Sequence, residues 1–390
     1  MLGRAKPVLV VVIALTAGCG GGRTPLRDAG IARPVWDGGP VKLVDDAGTL
    51  FPAVQCPTGT VPRMVELTSA VKLDLLFMID NSGSMEEEQA NLAYNFPRLI
   101  DQLKNLPNGF PDLHLGVVSS DMGEGGSWDR VGDGGVLQVR PNCGLDPVSY
   151  HYLSAQAGNT GGNFKGDIAS VFACLAKLGD GGSGFEHQLE AVRVALSGFV
   201  PANDGFLRPD AHLAVVYITD EDDCSAPSDS DLYNLDLPGQ DWNLRCQLRG
   251  HVCDGARVPA AVFSTPLSHC GAAPDGGGKL IPVQTFIDDM KLLRTQSVSV
   301  AVIGGWPDDY DTATYAIGLD TSYGTELTEI PICSSANGVA NVGLRLKQFV
   351  DAFGPAGTML SICQSDFSKA MSQIGQLITT TVDSSLVECR

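Results

Sequence analysis

Residues 73–85 read Leu-Asp-Leu-Leu-Phe-Met-Ile-Asp-Asn-Ser-Gly-Ser-Met. The run 73–79 is apolar enough for a strand buried on both faces, as in a parallel sheet. It gives way to Asp80, Ser82 and Ser84 within one tight turn, and Glu86-Glu87-Glu88 then suits the first turn of a helix. Three further runs share this character, at 113–118, 213–219 and 298–303. Between them lie helical patterns at 86–105, 167–177, 186–197, 284–294, 341–353 and 366–379. In the first of these Ala93, Phe96, Ile100 and Leu103 fall inward, and Pro97 is expected to kink or split the helix. The alternation predicts an α/β fold: a doubly wound, mostly parallel sheet flanked by helices, with its ligand site beyond the carboxyl ends of the strands.

The chain has 390 residues, with 26 Lys and Arg against 45 Asp and Glu, a net charge of −19. That balance excludes the phosphate backbone of a nucleic acid and an anionic membrane surface as partners, since both call for basic patches. With 44% hydrophobic residues the chain can bury a full core. Its first residues have the form of an export signal: Arg4 and Lys6, an apolar stretch, then Leu15-Thr16-Ala17-Gly18-Cys19. This segment is similar to a bacterial lipobox, with Thr16 where Leu is commoner, and the similarity implies acylation of Cys19. Gly20, rather than Asp, follows, which implies delivery to the outer membrane. The expected organisation is a signal peptide at 1–18, a Gly/Pro-rich flexible tether at 19–55 with no regular element, and a domain at 56–390. Removal of the signal leaves 24 basic residues against 45 acidic, a net of −21. No apolar run of spanning length follows, so membrane contact is expected through the N-terminal lipid only.

Two long segments interrupt the domain, at 222–281 and 305–337, and both contain cysteine. Apart from Cys19 there are ten: Cys56, Cys143, Cys174, Cys224, Cys246, Cys253, Cys270, Cys333, Cys363 and Cys389. An even number in an exported chain predicts up to five disulfides. Cys246, His251, Cys253, His269 and Cys270 offer a zinc site as the alternative.

The Asp80-x-Ser82-x-Ser84 turn at the end of a buried strand resembles the metal-ion-dependent adhesion site of von Willebrand factor A domains. The resemblance covers roughly residues 70–380, with the two insertions outside it, and names no ligand. It implies that Ser82 and Ser84 ligate a divalent cation while Asp80 acts from behind or through water. Asp220 ends the run 213–219 where the family has a strand-end Asp, and that strand is expected beside the first, so that the two carboxylates converge. The family's loop threonine corresponds to Ser183, with Asp180 as its rival. Mg²⁺ is the expected cation, with Mn²⁺ or Ca²⁺ as alternatives, and it prefers hard oxygen ligands. The implied partner is a protein that supplies a carboxylate to the open coordination position. Read bottom-up, Ser84-Met85-Glu86-Glu87 is also a capping box, which would make the turn no more than a helix start. The run Asp220-Glu221-Asp222-Asp223 is either a second cation site or a solvated rim. Asp80→Ala is expected to leave the fold intact, and Glu88 is expected to lie outside the site.

Catalytic readings find little support. There is no Gly-x-Ser-x-Gly and no His-Glu-x-x-His. The sequence therefore predicts a surface-anchored, cation-dependent adhesion module and not an enzyme. A metal-free structural module of the envelope and a metal-dependent hydrolase are the alternatives.

Overall fold

Alternation within one strand sets the two layers of the core. In Lys72–Ile79 (β1) the side chains of Leu73, Leu75, Phe77 and Ile79 join one buried cluster, while Leu76 and Met78 join another on the opposite face. The structure is a computed structural model. It describes residues 60, 65, 67 and 69–389 except 124–130, 146–149, 234–241, 264, 294, 308–313, 321–325 and 337, together with short strands before residue 69.

Five more strands complete the central sheet: Asp112–Ser119 (β2), Leu153–Ala155 (β3), His212–Ile218 (β4), Val298–Gly304 (β5) and Gly357–Ser361 (β6). Their order is β6-β5-β4-β1-β2-β3, parallel throughout except for β3, which runs antiparallel to β2 at the edge. This is the doubly wound arrangement expected from the sequence, with β1 and β4 side by side at its centre.

The helices are Glu86–Leu103 (α1), Ile168–Leu175 (α2), Gln188–Ala195 (α3), Trp242–Gly250 (α4), Val283–Lys291 (α5), Leu344–Asp351 (α6) and Ser368–Ser385 (α7). One face of the sheet is covered by α1, α2 and α7, through Phe96, Phe172 and Ile374 among others. The other is covered by α3, α5 and α6, through Leu189, Phe286 and Phe349. Pro97 does not split α1, which runs unbroken across it. The flanking residues Leu92, Phe96, Leu99 and Leu103 are all buried, and that burial outweighs the one backbone hydrogen bond a proline removes.

The insertions leave the sheet after β4 and after β5, both at carboxyl ends, and fold against each other. Leu244 and Leu248 of α4 share a small core with Val258, Tyr315 and Ile317. Three short strands, Ala256–Arg257, His251–Cys253 and Cys270–Ala272, form an antiparallel ladder beside it. Disulfides join Cys143 to Cys174, Cys224 to Cys246, Cys253 to Cys270 and Cys333 to Cys363. Cys246, Cys253 and Cys270 are thus committed to sulfur–sulfur bonds, which rules out the zinc alternative, because zinc needs free thiolates.

The stretch read as a tether contains one regular feature. Arg33–Val35 pairs antiparallel with Lys42–Val44, and Gly38-Gly39 lies between them. Val35, Leu43 and Val44 favour extended structure. Cys19 and Cys56 lie outside the described residues, as does the signal segment. Cys389 ends a strand, Val387–Cys389, that pairs with Pro62–Met64. Among the described residues no helix is long and apolar enough to cross a membrane.

Candidate functional site

The site begins where β1 and β4 end together. Asp80 continues the ladder by donating its N–H to the carbonyl of Ile218, 2.9 Å away. Its side chain is fully buried, and three donors converge on it. Oδ1 accepts from the Ser82 N–H at 2.8 Å and from the Ser120 hydroxyl at 3.0 Å. Oδ2 accepts from the Thr219 hydroxyl at 2.6 Å. Burial pushes the Asp80 carboxyl above its ordinary range, and the hydrogen bonds oppose that push. A carboxylate so occupied fixes the turn rather than facing a ligand directly. The expectation that Asp80→Ala leaves the fold intact is therefore corrected: removal would orphan three buried donors.

In front of Asp80 stand two hydroxyls. Ser82 Oγ and Ser84 Oγ are 3.4 Å apart, the first buried and the second exposed. The capping-box reading of Ser84 fails, because the residue that begins α1 is Met85 and no side chain caps this end. Ser84 instead hydrogen-bonds the carboxylate of Asp220. Asp220 is itself only 3% exposed, and its Oδ1 is buried without a hydrogen-bond partner. Burial, then the charge of Asp80, pushes its pKa up to about 8, with Glu88 adding to the effect and Ser84 opposing it. The structure thus brings Asp80, Ser82, Ser84 and Asp220 to one place, as the sequence predicts.

The loop before α3 closes one side. Gln89 on α1 donates to the carbonyls of Asp80 and Gly179, each at 2.9 Å, and accepts from the Gly179 N–H at 3.0 Å. Gly182 donates to the Asn81 carbonyl at 2.7 Å. A Cβ on Gly182 would lie 2.3 Å from Asn81 Oδ1, so only glycine permits this approach. The next residue, Ser183, is buried, and its hydroxyl accepts from the Phe185 N–H at 3.0 Å. Asp180 is exposed on the outer part of the loop.

The sequence reading gives Glu88 and Glu186 no place in the site and sees Glu221 only as part of the acidic run. Glu88 is fully buried, with both carboxylate oxygens lacking hydrogen-bond partners, and burial raises its pKa to about 7. It belongs to the neighbourhood of Asp80 and Asp220 rather than lying outside it. The periodicity of α1 carried the signal, since Glu88 sits one turn before Leu92 on the inward stripe. Glu186 and Glu221 hydrogen-bond each other, and desolvation pushes both well above the usual carboxylate range. No spacing in the sequence connects those two.

Asp222 and Asp223 are neither a rim nor a second cation site. Both are buried. Asp222 accepts from the N–H groups of Arg345 and Leu346 at 2.8 and 3.1 Å and bonds His251 Nε2 at 2.6 Å. Asp223 accepts from the Leu189 N–H at 2.9 Å and from Arg345 Nη2 at 2.8 Å. They satisfy the open N-termini of α6 and α3 from a distance in sequence.

As chemistry, the site offers hard oxygen donors: two adjacent hydroxyls and a carboxylate with an unsatisfied buried oxygen. Among the described residues no three His, Cys, Asp or Glu side chains are grouped as metal ligands. Any cation here must rely on hydroxyls and water as much as on carboxylates.

The sequence matches no protein-family model and no curated protein. Solved structures that align with this chain include the pilus adhesin SpaC from Lactobacillus rhamnosus GG in its open conformation, at 10% identity and a TM-score of 0.33, covering 83% of this chain and 31% of that one. The PilB minor pilin from Streptococcus sanguinis aligns at 12% identity and a TM-score of 0.35, over 82% of this chain and 63% of its own. Proximal thread matrix protein 1 from the mussel byssus aligns at 12% identity and a TM-score of 0.31, over 85% and 49%. The chain thus spans less than two thirds of each of these structures.

Proposed function

We propose that the α/β domain is a von Willebrand factor A-like binding module whose turn at Asp80, Ser82 and Ser84, with Asp220 and Ser183, is a metal-ion-dependent adhesion site for a protein partner. The observation that carries this reading is the contrast between two neighbouring buried carboxylates. Asp80 has three donors, whereas Asp220 keeps a buried oxygen that no protein group satisfies. Leaving such a group without a partner is costly, and a cation at this point removes the cost.

The donor set fits Mg²⁺, which takes roughly six oxygens and retains several waters. Ser82 and Ser84 would hold the ion from the turn, Asp220 from the neighbouring strand and Ser183 from the loop, with Asp80 orienting Ser82. Asp180, being exposed, is the weaker choice for the loop ligand. A bound divalent cation supplies an electrophilic point that a partner's carboxylate oxygen can complete. On this reading the role of this chain is binding. Cys19 would anchor the module by lipid to the bacterial envelope, at the outer membrane, with residues 19–55 as the stalk.

Calorimetric titration of the exported domain with Mg²⁺, Mn²⁺ and Ca²⁺ tests the cation. One saturable site is expected, lost in Ser84→Ala and kept in Glu87→Ala, whose side chain is exposed. No binding of any of the three would leave a metal-free structural module. Anchoring is tested separately: Cys19→Ser should block acyl labelling and release the protein from membranes, and unchanged membrane fractionation of the variant would refute it.

A further inference from the structure

The second insertion returns to the strand-end edge and lies against it. Its last two strands, Cys333–Ser335 and Gly338–Ala340, pair antiparallel, and the chain then passes through Asn341 towards α6. Three contacts hold this ladder to the turn at Asp80 and Asp220. Asn341 donates its N–H to the carbonyl of Asp220 at 2.9 Å. Gly338 sits directly against Glu88 in the first turn of α1: a Cβ there would overlap Glu88 Oε1, and the residue has a φ of +143°, so place and conformation both call for glycine. Cys333 is bonded to Cys363, in the loop between β6 and α7.

Holding the ladder down works against Glu88. That carboxyl is fully buried and neither oxygen has a hydrogen-bond partner, a state that opposes the closed arrangement. Residues 330–344 contain no charged side chain to offset it. The ladder is three residues long on each side, with Ser334, Ala336 and Val339 exposed, and an isolated two-stranded hairpin is marginal in water. The disulfide supplies the missing constraint, and it is open to attack. Of the four described disulfides it alone has neither cysteine buried, whereas Cys143, Cys224, Cys246 and Cys253 shield the other three. Access of the attacking thiolate helps set the rate of disulfide exchange, so a dithiol reaches this bond first.

We propose that the Cys333–Cys363 disulfide is a reducible latch on the strand-end turn: closed, it holds the ladder over Glu88 and Asp220; opened, it frees the ladder and loosens the backbone of Asp220. The reaction is exchange with a dithiol. One reductant thiolate attacks a sulfur, the other cysteine leaves as a thiolate and takes up a proton, and the second reductant thiol resolves the mixed disulfide. The protein gains two thiols and the dithiol becomes a disulfide. The consequence for cation affinity rests on the adhesion-site reading, and the latch itself does not.

The test treats the exported domain with dithiothreitol under native conditions in metal-free buffer and then alkylates it. Cys333 and Cys363 should label at least about tenfold faster than the cysteines of the other three pairs. Hydrogen exchange at residues 338–341 should then rise at least about tenfold, while 251–253 stay protected. Cys333→Ser combined with Cys363→Ser should give the same exchange without reductant, and Cys253→Ser combined with Cys270→Ser should leave 338–341 protected. Titration with Mn²⁺ then reads the consequence: the opened form should bind at least about threefold more weakly than the oxidised wild type, because Asp220 is less well held. Equal labelling of all four pairs, or protection at 338–341 that survives loss of the disulfide, would overturn the latch. Binding of equal or greater strength in the opened form would overturn its coupling to the site. No Mn²⁺ binding by the oxidised protein would refute the adhesion reading instead, with labelling and exchange still deciding the latch.

Discussion

Asp220 concentrates the electrostatic problem of the strand-end turn in one side chain. It is buried, faces the charge of Asp80 and feels Glu88 behind it. Two like charges several ångströms apart repel by about 2 kcal/mol at an effective dielectric near 20. Asp220→Asn keeps the shape and needs neither the charge nor the proton that a carboxyl raised to about 8 takes up on folding near neutral pH, so the cation-free variant should melt at a higher temperature than the wild type there. If the proposed cation site is right, millimolar Mg²⁺ should raise the melting temperature of the wild type and not that of this variant. Thermal melts with and without Mg²⁺ measure both effects, and a lower melting temperature for the cation-free variant would contradict the charge argument. Asp80 is the wrong position for this experiment, because Ser82, Ser120 and Thr219 all depend on its carboxylate.

At the scale of elements, the acidic run after β4 works as a set of remote caps. Asp223 faces Arg345, which is 1% exposed and bound through Nε at 3.1 Å and Nη2 at 2.8 Å. Breaking a buried pair from one side leaves a charge uncompensated. Asp223→Ala should therefore cost about 3–5 kcal/mol in denaturant unfolding. A loss under about 1 kcal/mol would place the run back among solvated rims.

The same scale shows what the sequence could reveal. The strands at Lys72–Ile79, Asp112–Ser119, His212–Ile218 and Val298–Gly304 each match their apolar run to within one residue at either end, because central parallel strands are apolar on both faces. β3 and β6 left no comparable signal. Leu153–Ala155 has three residues, and Gly357–Ser361 is half-exposed over most of its length at the sheet edge. The turn was legible for the opposite reason, since polar residues directly after a buried strand stand out. Glu88 was not, because three consecutive glutamates at a helix start read as dipole compensation while only the third points inward. Asp222 and Asp223 were misread because Arg345, which both of them engage on α6, lies more than a hundred residues away.

At the scale of the whole molecule, both insertions leave the sheet from the carboxyl ends of adjacent strands, the same edge that holds Asp80 and Asp220. Four disulfides staple the described part of the chain, and two of them lie within the first insertion. The account treats that edge as the working surface: a cation turn at the centre of the sheet and a rigid subdomain beside it. Its central claim is a location, and paramagnetic broadening by Mn²⁺ reads location directly. At substoichiometric Mn²⁺ the account predicts selective loss of amide signals from residues 80–85, 183 and 219–221 in the wild type, with those signals retained in Ser84→Ala. No localised broadening, or broadening centred on another group of carboxylates and indifferent to Ser84, would contradict it.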